Sequence, residues 1–219
     1  MNEQNQMSDF IRISECDTKS LKCFTLEEIF ELFFNSERVV EDLNKEINSA
    51  SPSFSLNFRL WDDRLTYQME FRGFVYKDKF CALTQYDRRI YCKQICENKE
   101  LILKAINDLY ENKIKPKMKS MNPLPDGSYV IDFGVIFKSK TDIEVIVIEI
   151  NPFAKEAGAS LFNWKDDIEV LTGKKEFEFR LVENENEYNY INYDFVLYPD
   201  LLMIKNRIKA KIVNDNKSF

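Results

Sequence analysis

The chain has 219 residues, with 31 Lys and Arg against 37 Asp and Glu and no histidine. A net charge of −6 without a long basic run lacks the electrostatic footprint of a general nucleic-acid binder. The missing imidazole removes Ser–His and Cys–His nucleophiles and every histidine metal site, which leaves chemistry to carboxylates, amides, Lys, Arg, Tyr or bare thiols.

Residues 1–17 are polar enough to fray, and residues 1–8 have neither the basic nor the apolar region of a signal peptide. Thr25-Leu-Glu-Glu28 is a capping-box pattern, and Ile29, Phe30, Leu32 and Phe33 recur at helical spacing, which predicts a helix over 26–35. A second helix is predicted over 38–47, followed by a Ser- and Pro-rich loop to residue 53. Phe54, Leu56, Phe58 and Leu60 alternate with smaller or polar residues, as in a strand ending at Trp61. Residues 69–76 and 80–85 read as two strands joined by a tight turn at 77–79. Ile102, Ile106, Leu109 and Tyr110 mark the apolar face of a long helix over about 92–113, after which Pro116, Pro123 and Pro125 predict a loop.

A second hairpin is expected from 129–137 and 143–150, turned at 138–142 and apolar enough to be buried on both faces. Small residues at 154–160 lead to a short helix near 164–172 and a strand over 176–182. Residues 183–193 read as a loop carrying Tyr188, Tyr190 and Tyr193, half-buried or available to a partner. An apolar run over 195–204 precedes a polar tail from 206. The plan is α+β with a mainly antiparallel sheet and flanking helices, in one domain over 18–205. No apolar run reaches the roughly 18–20 residues of a membrane span. The five cysteines, Cys16, Cys23, Cys81, Cys92 and Cys96, form no C-x-x-C pair, which fits reduced thiols in a cytoplasmic protein.

Three polar residues stand out in the second hairpin. Glu149 and Asn151 are two apart and share a strand face. If the turn pairs Lys138 with Ile143, Asp132 falls opposite Glu149. Two facing carboxylates repel, so either a divalent cation lies between them or the side chains point to solvent. Two carboxylates and an amide suit Mg²⁺.

Ile148-Glu-Ile-Asn-Pro152 looks like the metal-binding end of the ATP-grasp fold. The wider pattern is similar to the cell division cycle protein 123 family, ATP-grasp proteins that act as assembly chaperones for eukaryotic translation initiation factor 2. The resemblance rests on Ser20-Leu-Lys-Cys23, Leu56-Asn-Phe-Arg-Leu-Trp61, Glu70-Phe-Arg-Gly-Phe-Val75, Leu83-Thr-Gln85 with Asp87, Asp132, Ile148-Glu-Ile-Asn-Pro-Phe153 and Ser160-Leu-Phe-Asn-Trp164, in that order. It implies Asp132, Glu149 and Asn151 as ligands of Mg²⁺, and Leu56, Asn57 and Phe58 as the hinge that meets adenine. It also implies Arg59 and Arg72 near the ATP, Arg72 being the better phosphate contact unless it pairs with a neighbour such as Glu70. On this resemblance Asp132→Ala and Asn151→Ala would both remove Mg²⁺-dependent nucleotide binding without unfolding the chain.

Departures from the family pattern are informative. Only about 20 residues precede the Ser-Leu-Lys-Cys block, so the N-terminal subdomain with its phosphate-facing lysine is expected to be truncated. Phe34 stands at a family lysine position, Tyr86 where an arginine is expected, and Gly158 where an acidic residue is expected. The resemblance therefore implies a monomeric assembly chaperone that binds the factor's γ subunit, without membrane or nucleic acid, and holds ATP and Mg²⁺ weakly or not at all. The alternative is an ATP-grasp enzyme, a ligase or phosphotransferase, for which the missing lysines are a difficulty.

Overall fold

The structure, a computed structural model, describes residues 22–52, 59–88, 90–121, 124 and 126–184. They fall into two compact units, one holding residues 22–52 and 59–62 and the other the described residues from 63 onward. The predicted segments at 1–17, 54–58, 185–193 and 195–204 lie outside the described residues, and Arg59, Leu60 and Trp61 are not in a strand.

In the first unit, helix α1 (Leu26–Phe34) begins on its capping box. The Thr25 hydroxyl accepts from the Glu28 N–H, and the Glu28 carboxylate accepts from the Thr25 N–H, each at 3.3 Å. That exchange satisfies two of the donors a helix start leaves open. Ser36 caps α2 (Glu37–Ile47) in the simpler way, its hydroxyl accepting from the Val39 N–H at 3.4 Å.

The second unit is built on β1 (Glu70–Tyr76), β2 (Lys79–Gln85), β3 (Tyr129–Phe137), β4 (Ile143–Pro152) and β5 (Glu178–Arg180). Their order in the sheet is β4-β3-β1-β2-β5, antiparallel throughout except for the parallel pair β2–β5. The β1–β2 turn contains Lys77 at φ 49° and Asp78 at φ 63°. Neither is the glycine such a turn favours. Contacts from elsewhere hold it instead: the Asp78 N–H donates to the Gly127 carbonyl at 2.9 Å, and the Tyr110 hydroxyl donates to the Asp78 carbonyl at 3.1 Å.

The long predicted helix is α3 (Lys93–Glu97) and α4 (Lys99–Leu109), broken at Asn98. It then runs on where a loop was expected. A π-helical turn (Tyr110–Ile114) leads into α5 (Lys115–Met121), with Pro116 inside it. Proline in a regular helix loses a hydrogen bond and strikes the carbonyl four residues back. Here the Lys115 N–H already reaches five residues back to the Tyr110 carbonyl. The widened turn makes room for the ring, and Pro116 sits in the first turn of α5.

Another expectation fails on β4. Its run of Ile and Val reads as a strand covered on both faces, yet it is half-exposed along its length while β3 is buried. The cause is position, because among the described residues β4 is an edge strand. Further on, the predicted helix near 164–172 shortens to α6 (Ile168–Leu171), and the strand over 176–182 to β5.

The sheet is covered on both faces. On one, Phe71, Val75, Leu83, Ile131 and Phe133 pack with Ile95, Ile102, Ile106 and Tyr110. On the other, Phe74, Ala82 and Val130 pack with Phe162, Val170 and Leu171, and Trp164 lies edge-on to Phe74 at 5.6 Å.

Gly73 is required by the first of these cores. A Cβ there would come within 2.5 Å of the Phe80 ring and 3.0 Å of the Phe133 ring, and Phe80 is itself stacked on Tyr110 at 4.9 Å. Gly73→Ala is expected to destabilise the chain by about 1–3 kcal/mol through overpacking. The measurement is the denaturant midpoint at unchanged m-value; a midpoint equal to that of the unmodified chain would show that the ring swings aside freely.

Candidate functional site

Strand alternation sends Glu70, Arg72 and Phe74 of β1 to the face opposite α4. Arg72 pairs in register with Asp132 of β3, and Asp132 with Glu149 of β4. The route to that second pairing differs from the expected one. The hairpin closes with Phe137, not Lys138, opposite Ile143, which carried through would set Asp132 against Ile148. A β-bulge between Asp132 and Phe133 on the ladder shifts the register by one and turns Glu149 towards Asp132. Asn151 follows on the same face, opposite Val130.

Arg72 is 5% exposed and Asp132 1%. The two meet as a fork: Nε donates to Oδ1 at 2.8 Å and Nη2 to Oδ2 at 2.7 Å. The remaining nitrogen, Nη1, donates to the carbonyls of Ala157 and Gly158, the latter at 3.3 Å. The Tyr86 ring lies 4.7 Å from the guanidinium carbon. So Arg72 pairs with Asp132 rather than with its strand neighbour Glu70, and each of its three nitrogens donates to a partner within the protein.

Glu149 is exposed, and its Oε1 accepts from the Asn151 amide at 2.9 Å. Burial pushes the Asp132 carboxyl up, Arg72 pulls it back, and Glu149 adds to the rise. Glu70 is pushed up to about 7 by burial, then by Asp132, Glu149 and Asp87, with Arg72 the opposing influence. The site thus holds more negative charge than the guanidinium offsets.

Four of the expected residues, Arg72, Asp132, Glu149 and Asn151, therefore come together. Arg59 is exposed and belongs to the first unit, and Leu56, Asn57 and Phe58 lie outside the described residues. Three contributors were not expected: Glu70, Tyr86 and the carbonyl pair at Ala157 and Gly158. Glu70 was within reach, since it lies two residues before Arg72 on a strand and must share its face. The positions that depart from the family pattern also acquire roles. Tyr86 stacks on Arg72, and Gly158, at φ +73°, brings its carbonyl to the guanidinium. Phe34, at the family lysine position, is 67% exposed.

The donor set of Asp132, Glu149 and Asn151 fits a hard cation such as Mg²⁺ by its oxygen chemistry, and the surplus negative charge around Glu70 agrees with that. As the side chains stand, both oxygens of Asp132 are engaged by Arg72. Among the described residues no group of three His, Cys, Asp or Glu side chains is placed to hold a metal ion.

Comparison with known proteins agrees with this architecture. The D123 family model matches residues 12–196. A translation initiation factor eIF2 assembly protein of Xenopus tropicalis is 28% identical over 191 residues, covering 82% of this chain and 52% of the relative. Cell division cycle protein 123 of Candida glabrata is 27% identical over 174 residues, covering 75% and 46%. The chain spans about half the length of the curated relatives it matches. Among solved structures, Cdc123 from Schizosaccharomyces pombe superposes with a TM-score of 0.53 at 28% identity, covering 76% of this chain and 65% of that one. The fold is accordingly the α+β, ATP-grasp-like fold of Cdc123.

The buried fork separates two substitutions that the sequence treats alike. Asp132→Ala leaves Arg72 buried without its carboxylate and is expected to cost about 3–5 kcal/mol. Asn151→Ala removes only a partly exposed hydrogen bond and is expected to cost under about 0.5 kcal/mol. Equal denaturation midpoints for the two variants would contradict the geometry. A pH effect follows from Glu70. Its folded pKa of about 7 lies above the ordinary glutamate value, so its stabilising share is complete below about pH 4 and is lost as pH rises through 7. Glu70→Gln should remove that slope. The variant should gain on the unmodified chain by roughly 2–3 kcal/mol between pH 4 and pH 8, and parallel pH profiles of stability would show that Glu70 is not so perturbed.

Proposed function

The chain belongs to the D123 family, that of Cdc123, and from that premise we propose that it is an assembly chaperone for translation initiation factor eIF2. The observation that carries this reading is the family match over residues 12–196, shared with relatives named for eIF2 assembly. Its partner is the γ subunit of the factor. ATP and Mg²⁺ are bound weakly or not at all. Asp132, Glu149 and Asn151 would hold the metal, and Arg72, with Arg59 and the 56–58 hinge, would meet the nucleotide. A bound Mg²⁺ would supply charge neutralisation for phosphate oxygens there.

The arrangement of the chain's own residues favours binding over catalysis. Phosphoryl transfer depends on cations aimed at the γ-phosphate. The cation at the centre of this site is instead directed at Asp132 and at two backbone carbonyls. Phe34 replaces a family lysine. A ligase or phosphotransferase of the ATP-grasp type is thus the second reading, and the fold likeness is what supports it.

Capture of purified eIF2 γ subunit on the immobilised chain is the test. Retention at micromolar concentration, resistant to washing and independent of added ATP, is the expected outcome. Failure to retain the subunit, with ATP consumed in the presence of Mg²⁺, would favour the enzyme reading. Calorimetric titration with ATP and Mg²⁺ should give a Kd weaker than about 0.1 mM, that is, less than about 5.5 kcal/mol of binding free energy.

A further inference from the structure

We infer that the site is self-occupied: Arg72 is its resident cation, and a divalent metal binds Asp132 only in competition with the guanidinium. The inference rests on the reading that Asp132 and Glu149 are able to hold Mg²⁺, and adds to it a competitor supplied by the chain itself.

The geometry is specific on this point. A carboxylate offers a guanidinium two parallel acceptors, and Asp132 gives both to Arg72, at 2.8 and 2.7 Å. A cation bound at either oxygen would share it with an Arg72 nitrogen and meet the guanidinium's positive charge at close range. The arginine is also held from behind. Nη1 is anchored on the carbonyls of Ala157 and Gly158, and Tyr86 lies against the guanidinium. Withdrawal from Asp132 therefore strains or breaks the hold on the 3₁₀ turn at Lys155–Ala157 as well. A phosphate approaching Arg72 meets the same obstacle, because each of the three nitrogens already donates to Asp132 or to a backbone carbonyl. One buried pair thereby opposes a metal and a phosphate together. Two charges this deeply placed, at 6% and 2% side-chain exposure, do not separate without a replacement for each.

The decisive variant is Arg72→Met, which removes the guanidinium but retains a long apolar stem. Thermal denaturation is followed with MgCl₂ against KCl of matched ionic strength, and Mg²⁺ binding is titrated in parallel by calorimetry. In the unmodified chain, Mg²⁺ should move the midpoint by less than about 1 °C. In Arg72→Met the midpoint should be lower in KCl and rise by about 5–10 °C once Mg²⁺ exceeds its Kd a hundredfold. Arg72→Lys, which keeps the charge but loses the fork, covers the case in which the methionine variant does not fold. It should respond to Mg²⁺ more than the unmodified chain does. Equal Mg²⁺ affinity in the unmodified chain and the variants would overturn the competition while leaving the metal site intact. No Mg²⁺ response in any of the three would overturn the metal site itself, and the inference with it.

Discussion

A guanidinium and a carboxylate enclosed in a protein are costly unless each finds a complete set of partners. Arg72 and Asp132 meet that condition, and much of the second unit is arranged around them. The fork ties β1 to β3 at a rung where both strands are buried. The third arginine nitrogen ties that rung to the turn after β4, through Ala157 and Gly158. From there the chain leads into Phe162 and Trp164, which cover Phe74 and close the apolar part of the same face. The pair is thus a joint between sheet and covering segment, as well as the centre of the candidate site.

Around it the charge does not balance. Glu70, Asp132 and Glu149 share one sheet face with Arg72, and burial, followed by the charges of Asp132, Glu149 and Asp87, raises the Glu70 carboxyl to about 7. A surplus of this kind is what a cation site looks like, yet the cation nearest to it belongs to the chain. Two of the three residues that depart from the family pattern, Tyr86 and Gly158, contact Arg72 in the folded chain. Tyr86 contributes a ring where the family pattern has an arginine, which avoids placing a second guanidinium beside the first. Gly158 lacks the side-chain carboxylate of the pattern, and its backbone carbonyl accepts from Arg72.

Much of this was legible in the sequence, and the failures have physical causes. The capping box at Thr25 and both hairpins follow from local pattern, whereas the facing of Asp132 with Glu149 was reached through a register that the hairpin does not have. The bulge that brings Glu149 into place leaves no trace in composition, because Ile148 suits a paired strand as well as an unpaired position. The helix through Pro116 was unreadable because its tolerance depends on the turn before it, not on proline. The exposure of β4 depends on sheet order, which the Ile and Val run cannot reveal. Least legible was the partner of Arg72. Asp132 lies 60 residues away, and only the pairing of β1 with β3 sets them side by side.

A double-mutant cycle on Arg72→Met and Asp132→Asn, read by denaturant unfolding at neutral pH, tests most directly whether this pair organises the structure. Each single variant leaves one buried charge without its partner, whereas the double variant leaves none. The account predicts that the double variant is less destabilised than the sum of the singles, with a coupling of about 2–3 kcal/mol. Effects that add to within about 0.5 kcal/mol would contradict it, for they would mean that neither residue depends on the other.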